Sequence, residues 1–251
     1  MSGASLLAEI GRGLAWSRGE RLAMLWAYFD ESGEHDASGA LSRLTVGGGI
    51  APLEEWEALS LRWRVLLDRF ELPFFHMTDF EARKRPFHEL GEADRLVLLS
   101  GLLDLAVEHV SEFVGFIGQP EKGKAALVDA YETNLAKATR EMAIDLHSSG
   151  EKLTVIFARH KEISAAKIGQ WFDLWADADE SLVFGGVGNP NDLCPLQVAD
   201  IVAYEIARDA RSVRPEKTRY PFERLTPKMR PYTIKLINRA RSAYPNAWVP
   251  R

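Results

Sequence analysis

Residues 195–210, PLQVADIVAYEIARDA, decide how the rest of the chain is read. Pro195 fits the first helical position, where a missing N–H costs nothing, and Leu196, Ala199, Ala203, Ile206 and Ala210 recur at three- and four-residue steps. The spacing predicts a largely buried helix. Asp200 interrupts its apolar surface, and a carboxylate there carries a large desolvation cost unless a cation, a metal or several donors compensate it. Gln197 and Tyr204, three before and four after, project from the same side and extend the polar strip. The residue expected to meet that strip is Asp30, at the end of the apolar run LAMLWAYFD over 22–30.

That run has the near-continuous hydrophobicity of a central strand covered on both faces. Turn-rich residues 33–42 connect it to a second strand over 44–50, most economically as an antiparallel hairpin. Gly47, Gly48 and Gly49 lack a following Gly-Lys-Ser/Thr, so close approach of another backbone is expected rather than a phosphate loop. Helices over about 52–70 and 92–110 follow, separated by a short helical turn after His76, where Thr78-Asp79-Phe80-Glu81 has capping-box spacing. Strands over 112–118, 152–158 and 181–186 then alternate with helices over 122–148 and 163–176 and with the Asp200 helix. Short helices are also expected near 4–16 and 232–243.

Alternating helices and late strands imply parallel pairing through right-handed crossovers, and the opening hairpin supplies antiparallel neighbours. The chain is therefore expected to be one α/β domain over 1–251. Its core spans about 22–212, a helical insertion after strand 2 spans about 52–110, and a C-terminal basic arm spans about 213–251. A five-stranded mixed sheet flanked by helices in this order is the plan of a ribonuclease H-like fold.

At 251 residues, 46% hydrophobic and 27% charged, the composition is that of a soluble protein with one large core. The single cysteine, Cys194, excludes an internal disulfide and a cysteine-based zinc cluster and fits a reducing cytoplasm. No basic-then-apolar leader and no membrane-length apolar run is present, so a cytoplasmic protein without membrane contact is expected. The net charge of −5 argues against a basic nucleic-acid coat. From Tyr204 onward, however, 12 Lys and Arg stand against 4 Asp and Glu, enough for the arm to hold a nucleic acid beside the acidic helix. The favoured structural alternative is that these arginines solvate surface helices or pair with the acidic body.

The stretches YFDESG at 28–33, LTVGGGI at 44–50, FHMTDF at 75–80 and PLQVADIVAYEIARD at 195–209 resemble motifs of the domain of unknown function 3800 family, in the same order across most of the chain. The first and last carry the resemblance. It implies a ribonuclease H-like fold and, by analogy, a metal-dependent nuclease site, with Asp30, Glu31, His76, Gln197 and Asp200 as the positions carried over. The residues support part of this by themselves. Asp30 and Asp200, brought within a few ångströms, repel unless a proton or a cation lies between them, and oxygen-only ligation suits Mg²⁺ or Mn²⁺. Such a site activates water and steadies the leaving oxygen of a phosphodiester. Strand alternation points Glu31 to the other face unless the strand has ended there. The pattern departs at the end of the fourth strand, where Ala158-Arg159-His160-Lys161-Glu162 stands in place of an acidic pair. Glu162, Asp192, Glu132 and His76 are the available substitutes.

Each position also has a structural alternative. Asp30 can cap a turn through the amides of Ser32 and Gly33, Asp200 can pair with a buried arginine, and His76 and Cys194 can simply pack. Three readings follow. The leading one is a divalent-metal-dependent phosphodiesterase or nuclease with Asp30 and Asp200 as metal ligands, Glu31 or Asp192 as a third, and His76 or Gln197 orienting water or substrate. The second is a catalytically degenerate module that binds nucleic acid or protein through Arg159, Lys161 and the arm. The third is a homodimeric scaffold joined through the inserted helices.

Overall fold

The computed structural model describes residues 24–35, 41–118, 128, 131–136, 152–176, 181–211 and 219–243. Strands β1 (Met24–His35) and β2 (Leu41–Pro52) form the expected antiparallel hairpin, and β3 (Glu112–Gly118) pairs antiparallel with β2. Strands β4 (Lys152–Ala158) and β5 (Leu182–Gly188) add on the other side of β1, both parallel. The order is β3-β2-β1-β4-β5 in one sheet. Both hairpin strands outrun their apolar cores. The ladder continues through Glu31↔Val46, Ser32↔Thr45 and Gly33↔Leu44, so backbone pairing carries polar residues that hydropathy assigns to the turn.

Seven labelled helices surround the sheet: α1 (Leu53–Arg69), α2 (Met77–Glu81), α3 (Glu92–His109), α4 (Ala165–Ala176), α5 (Cys194–Ala210), α6 (Tyr220–Leu225) and α7 (Pro231–Ala243). Residues 131–136 are also helical. The helix expected over 4–16 and most of that over 122–148 lie outside the described residues. Alternation in the strands divides the core. Trp26, Tyr28, Ile156 and Ala158 join α1, α3 and α5 on one face, while Ala27, Phe29, Val155 and Phe157 meet Tyr131, Leu135, Trp171 and Phe172 on the other. Within the first layer, Trp56 donates its indole N–H to the Trp26 carbonyl, which ties α1 to β1.

The position of α5 is set by a backbone-on-backbone contact. A Cβ placed on Gly47 would lie 2.6 Å from the Cα of Ala203, well inside any real contact distance. Gly47 is the β2 partner of Asp30, and Ala203 lies one helical turn beyond Asp200. The glycine run thus serves close packing, and in doing so it lowers Asp200 toward the end of β1. Gly47→Ala should cost about 1–3 kcal/mol through overpacking, seen as a lower urea midpoint at unchanged m value; an unaltered midpoint would show that α5 is not seated by this contact.

Candidate functional site

Strand β1 is longer than its parallel neighbour. The last β1–β4 pair is Phe29↔Phe157, and β4 ends at Ala158, so Asp30 and Glu31 stand at an open sheet edge at the carboxyl end of two parallel strands. This is where open α/β sheets present ligand sites. Asp30 follows the parity of Trp26 and Tyr28 toward α5. Glu31 has the opposite parity, and its Oε1 lies 3.7 Å from the Nε2 of His160, whose ring packs edge-on against Tyr131. The strand does not end at Glu31 as the alternation rule required for convergence. The absence of a β4 neighbour at this level, among the described residues, nevertheless lets both carboxyls reach the rim, where Asp30 Oδ1 accepts the backbone N–H of Glu31 at 2.8 Å. Together with Phe74, His76, Asp79, Arg159, Lys161, Glu162 and Asp200 they line a cleft of about 440 Å³.

Asp200 does two jobs. Its Oδ2 accepts the backbone N–H of Met77 at 2.6 Å, satisfying one of the orphan donors at the start of α2. Its Oδ1 lies 3.7 Å from the Nε2 of His76. The expected turn after His76 is therefore present, but His76 is its N-cap residue and Asp200, from a distant helix, supplies the capping oxygen in place of Thr78. His76 Nδ1 is held at 2.8 Å by the Asp79 carboxylate, which fixes the ring with Nε2 toward Asp200. On the opposite wall His160 Nδ1 accepts the N–H of Glu162 at 3.0 Å, leaving Nε2 to face Glu31. Two imidazoles thus flank the carboxylates from either side.

Gln197 and Asp192 are placed elsewhere. Gln197 is buried with three of its four hydrogen-bonding positions spent on architecture: Oε1 accepts from the Trp63 indole at 2.9 Å and from Phe75 N–H at 3.0 Å, and Nε2 donates to the Pro190 carbonyl at 2.9 Å. It fastens α1, the segment before His76 and the loop before α5 together, and does not line the cleft. Asp192 sits exposed in that loop, accepting from Asn189 Nδ2 at 2.9 Å, and does not join the carboxylates. Cys194 is buried at the start of α5, and burial, which outweighs the Arg64 charge and the helix-start amide, pushes its thiol up to about 11, so it is inert. Asp79 and His160 are the site residues that the sequence reading did not single out. Asp79 had a signal in its position three residues after His76, whereas His160 was hidden in a basic run.

The arm follows the structural alternative. Arg208 and Arg219 both bind Glu81, Arg211 binds Glu34, Arg224 binds Asp104, Arg230 binds Glu112, and Lys228 donates to the Val110 carbonyl. Of these, Arg219, Arg224, Lys228 and Arg230 fasten the arm to the body, while Arg208 and Arg211 pair at the end of α5. Arg159 and Lys161 are different: both are exposed on the cleft rim, and among the described residues neither pairs with a carboxylate.

No lysine or arginine among the described residues neutralises Asp30, Glu31 or Asp200. Burial raises Asp30 well above the usual carboxyl range, with the charges of Glu31 and Asp200 adding to it. Burial likewise lifts Glu31 to about 7, against the lowering effect of its bond to Asp30, and Asp200 to about 6, against His76 and the Met77 amide. Burial and the mutual repulsion of Asp30 and Glu31, with no cation pairing them among the described residues, thus favour their protonated forms. The donors are hard oxygens, which fit Mg²⁺ or Mn²⁺. No ready-made group of three His, Cys, Asp or Glu ligands is present among the described residues. No helix among the described residues is long and apolar enough to cross a membrane.

No family model, curated protein or solved structure matches the chain.

The raised carboxyls make stability depend on pH in a defined direction. Each binds its proton more tightly folded than unfolded, so stability falls as pH rises from the ordinary carboxyl range through about 7. In chelator, Asp30→Asn should therefore be more stable than the wild type at pH 8 and show no such gain at pH 4, by urea unfolding at both pH values. A variant less stable than wild type at pH 8 would show that the carboxylate has a compensating partner.

Proposed function

We propose that the chain is a divalent-cation-dependent phosphodiesterase acting on nucleic acid, built on a ribonuclease H-like core. The observation that carries this reading is the set of uncompensated carboxyls, Asp30 and Glu31 from β1 and Asp200 from α5, meeting at an open cleft whose rim is basic. The strand order, with an antiparallel trio and two parallel strands beside β1, agrees with the proposed core. So does the resemblance of four ordered motifs to the domain of unknown function 3800 family.

Asp30 and Asp200 would hold the ion, with Glu31 beside them. A bound Mg²⁺ or Mn²⁺ supplies Lewis acidity and a more acidic water. The chain's own residues do the rest. Arg159 and Lys161 present exposed cations to flanking phosphates, a contact that carries no sequence preference. Asp79 holds His76 so that Nε2 faces the carboxylates, which places a proton acceptor at the cleft wall. A cation held there would favour the ionised forms of Asp30 and Glu31, whose protons would pass to solvent.

One observation favours a second reading. The end of β4 presents Arg159, His160 and Lys161 in place of an acidic pair, which suits a module that binds nucleic acid without cutting it. The two are separated by one experiment. With Mn²⁺ or Mg²⁺, the wild type should cleave DNA or RNA, chelator should stop it, and Asp30→Asn should abolish it while keeping the wild-type far-ultraviolet spectrum. Cleavage by Asp30→Asn equal to that of the wild type would reject the enzyme. Binding without cleavage, weakening steeply with salt and indifferent to chelator, would establish the second reading.

A further inference from the structure

Helices α1 and α3 pack side by side and antiparallel. Glu55 bonds His109, Arg62 bonds Glu108, and Leu66 lies against Gly101, so rising numbers on one helix meet falling numbers on the other. Their inner faces enter the core. Their outer face is unusual for a solvated pair. Leu61 and Val65, one turn apart on α1, are 60% and 71% exposed, and Val97 on α3 is 48% exposed. Between the helices runs a groove of about 570 Å³ floored by Leu66, Gly101 and Leu105. Its walls carry opposite charge, Arg62 and Arg69 on the α1 side and Asp104 and Glu108 on the α3 side.

We propose that this face is where two copies of the chain associate. A two-fold axis along the groove lays α1 of one copy over α3 of the other, giving a four-helix layer. The basic wall of each copy then faces the acidic wall of its mate, with Arg62 of one level with Glu108 of the other. The Leu61–Val65 ridge drops over Gly101, where the missing side chain keeps the floor low. The segregation of charge fits a second copy in this orientation better than any partner of one sign. The size is adequate. The helices are 17 and 18 residues long, or about 25 Å. With axes about 10 Å apart, their footprint is about 500 Å² per copy. The total of about 1,000 Å² lies at the lower bound for a specific interface. This pairing is independent of the proposed chemistry, because the groove lies on the outer side of α1 and α3 and shares no lining residue with the cleft.

Sedimentation equilibrium of the full chain at micromolar concentration should give the mass of two chains. Val65→Glu should raise the dimer Kd roughly 30-fold or more, with an unchanged circular dichroism spectrum because the side chain it replaces is mostly exposed. Arg62→Glu should also weaken association, and adding Glu108→Arg should restore it. A single-chain mass at every concentration would overturn the proposal, whatever covers the groove in its place. A dimer indifferent to both Val65→Glu and Arg62→Glu would overturn it equally.

Discussion

The structure depends on one close approach, the Ala203 backbone of α5 resting on Gly47 of β2. Nothing larger than a hydrogen fits on Gly47 without pushing the helix away. Because Gly47 pairs with Asp30 across the hairpin, the contact fixes Asp200 relative to the end of β1. Interior packing at near-crystalline density tolerates little slack, so a shift of this helix moves a charge as well as a methyl group. The fold and the candidate site are consequences of the same seating.

Around that seating, polar side chains divide between holding the cleft and forming it. Gln197 holds it through three bonds to three segments. Asp200 is split, one oxygen capping α2 and the other turned to His76. Glu81, also on α2, is kept below its usual range because Arg219 and Arg208 outweigh its burial, and through it the arm clamps the segment that carries His76 and Asp79. A structural role for Asp200 therefore accompanies the functional one. What distinguishes Asp200 from an ordinary buried cap is that other acids, Asp30 and Glu31, stand close to it, while among the described residues no arginine pairs with it.

Much of this was legible in the sequence because it was written in periodicity. The strands at 112–118 and 152–158 and the buried helix after Leu193 follow from apolar spacing and Pro195, and the glycine run announced a close backbone approach. Asp30 was legible as an acid ending a buried strand, and Asp200 as a charge where the helix pattern called for an apolar residue. Other features were decided by tertiary contact and left no local mark. Gln197 was read as part of a chemical strip because its three partners come from three separate segments. Asp192, expected as a third ligand, is instead held within its own loop by Asn189. The strip on α5 is met by residues 74–77 as much as by Asp30, and no spacing rule reports which loop crosses a helix. The length of β1 was missed for a related reason: past Asp30 the ladder with β2, rather than hydropathy, keeps the strand going.

Asp30 and Asp200 are proposed to share a cation at a place where burial raises both carboxyls. The most direct measurement is anomalous diffraction from crystals grown or soaked with Mn²⁺ near pH 8, above the raised values of Glu31 and Asp200. The account predicts a manganese peak bonded to an oxygen of Asp30 and to an oxygen of Asp200. A cleft without manganese under those conditions, with the carboxyls satisfied by protein donors alone, would contradict it.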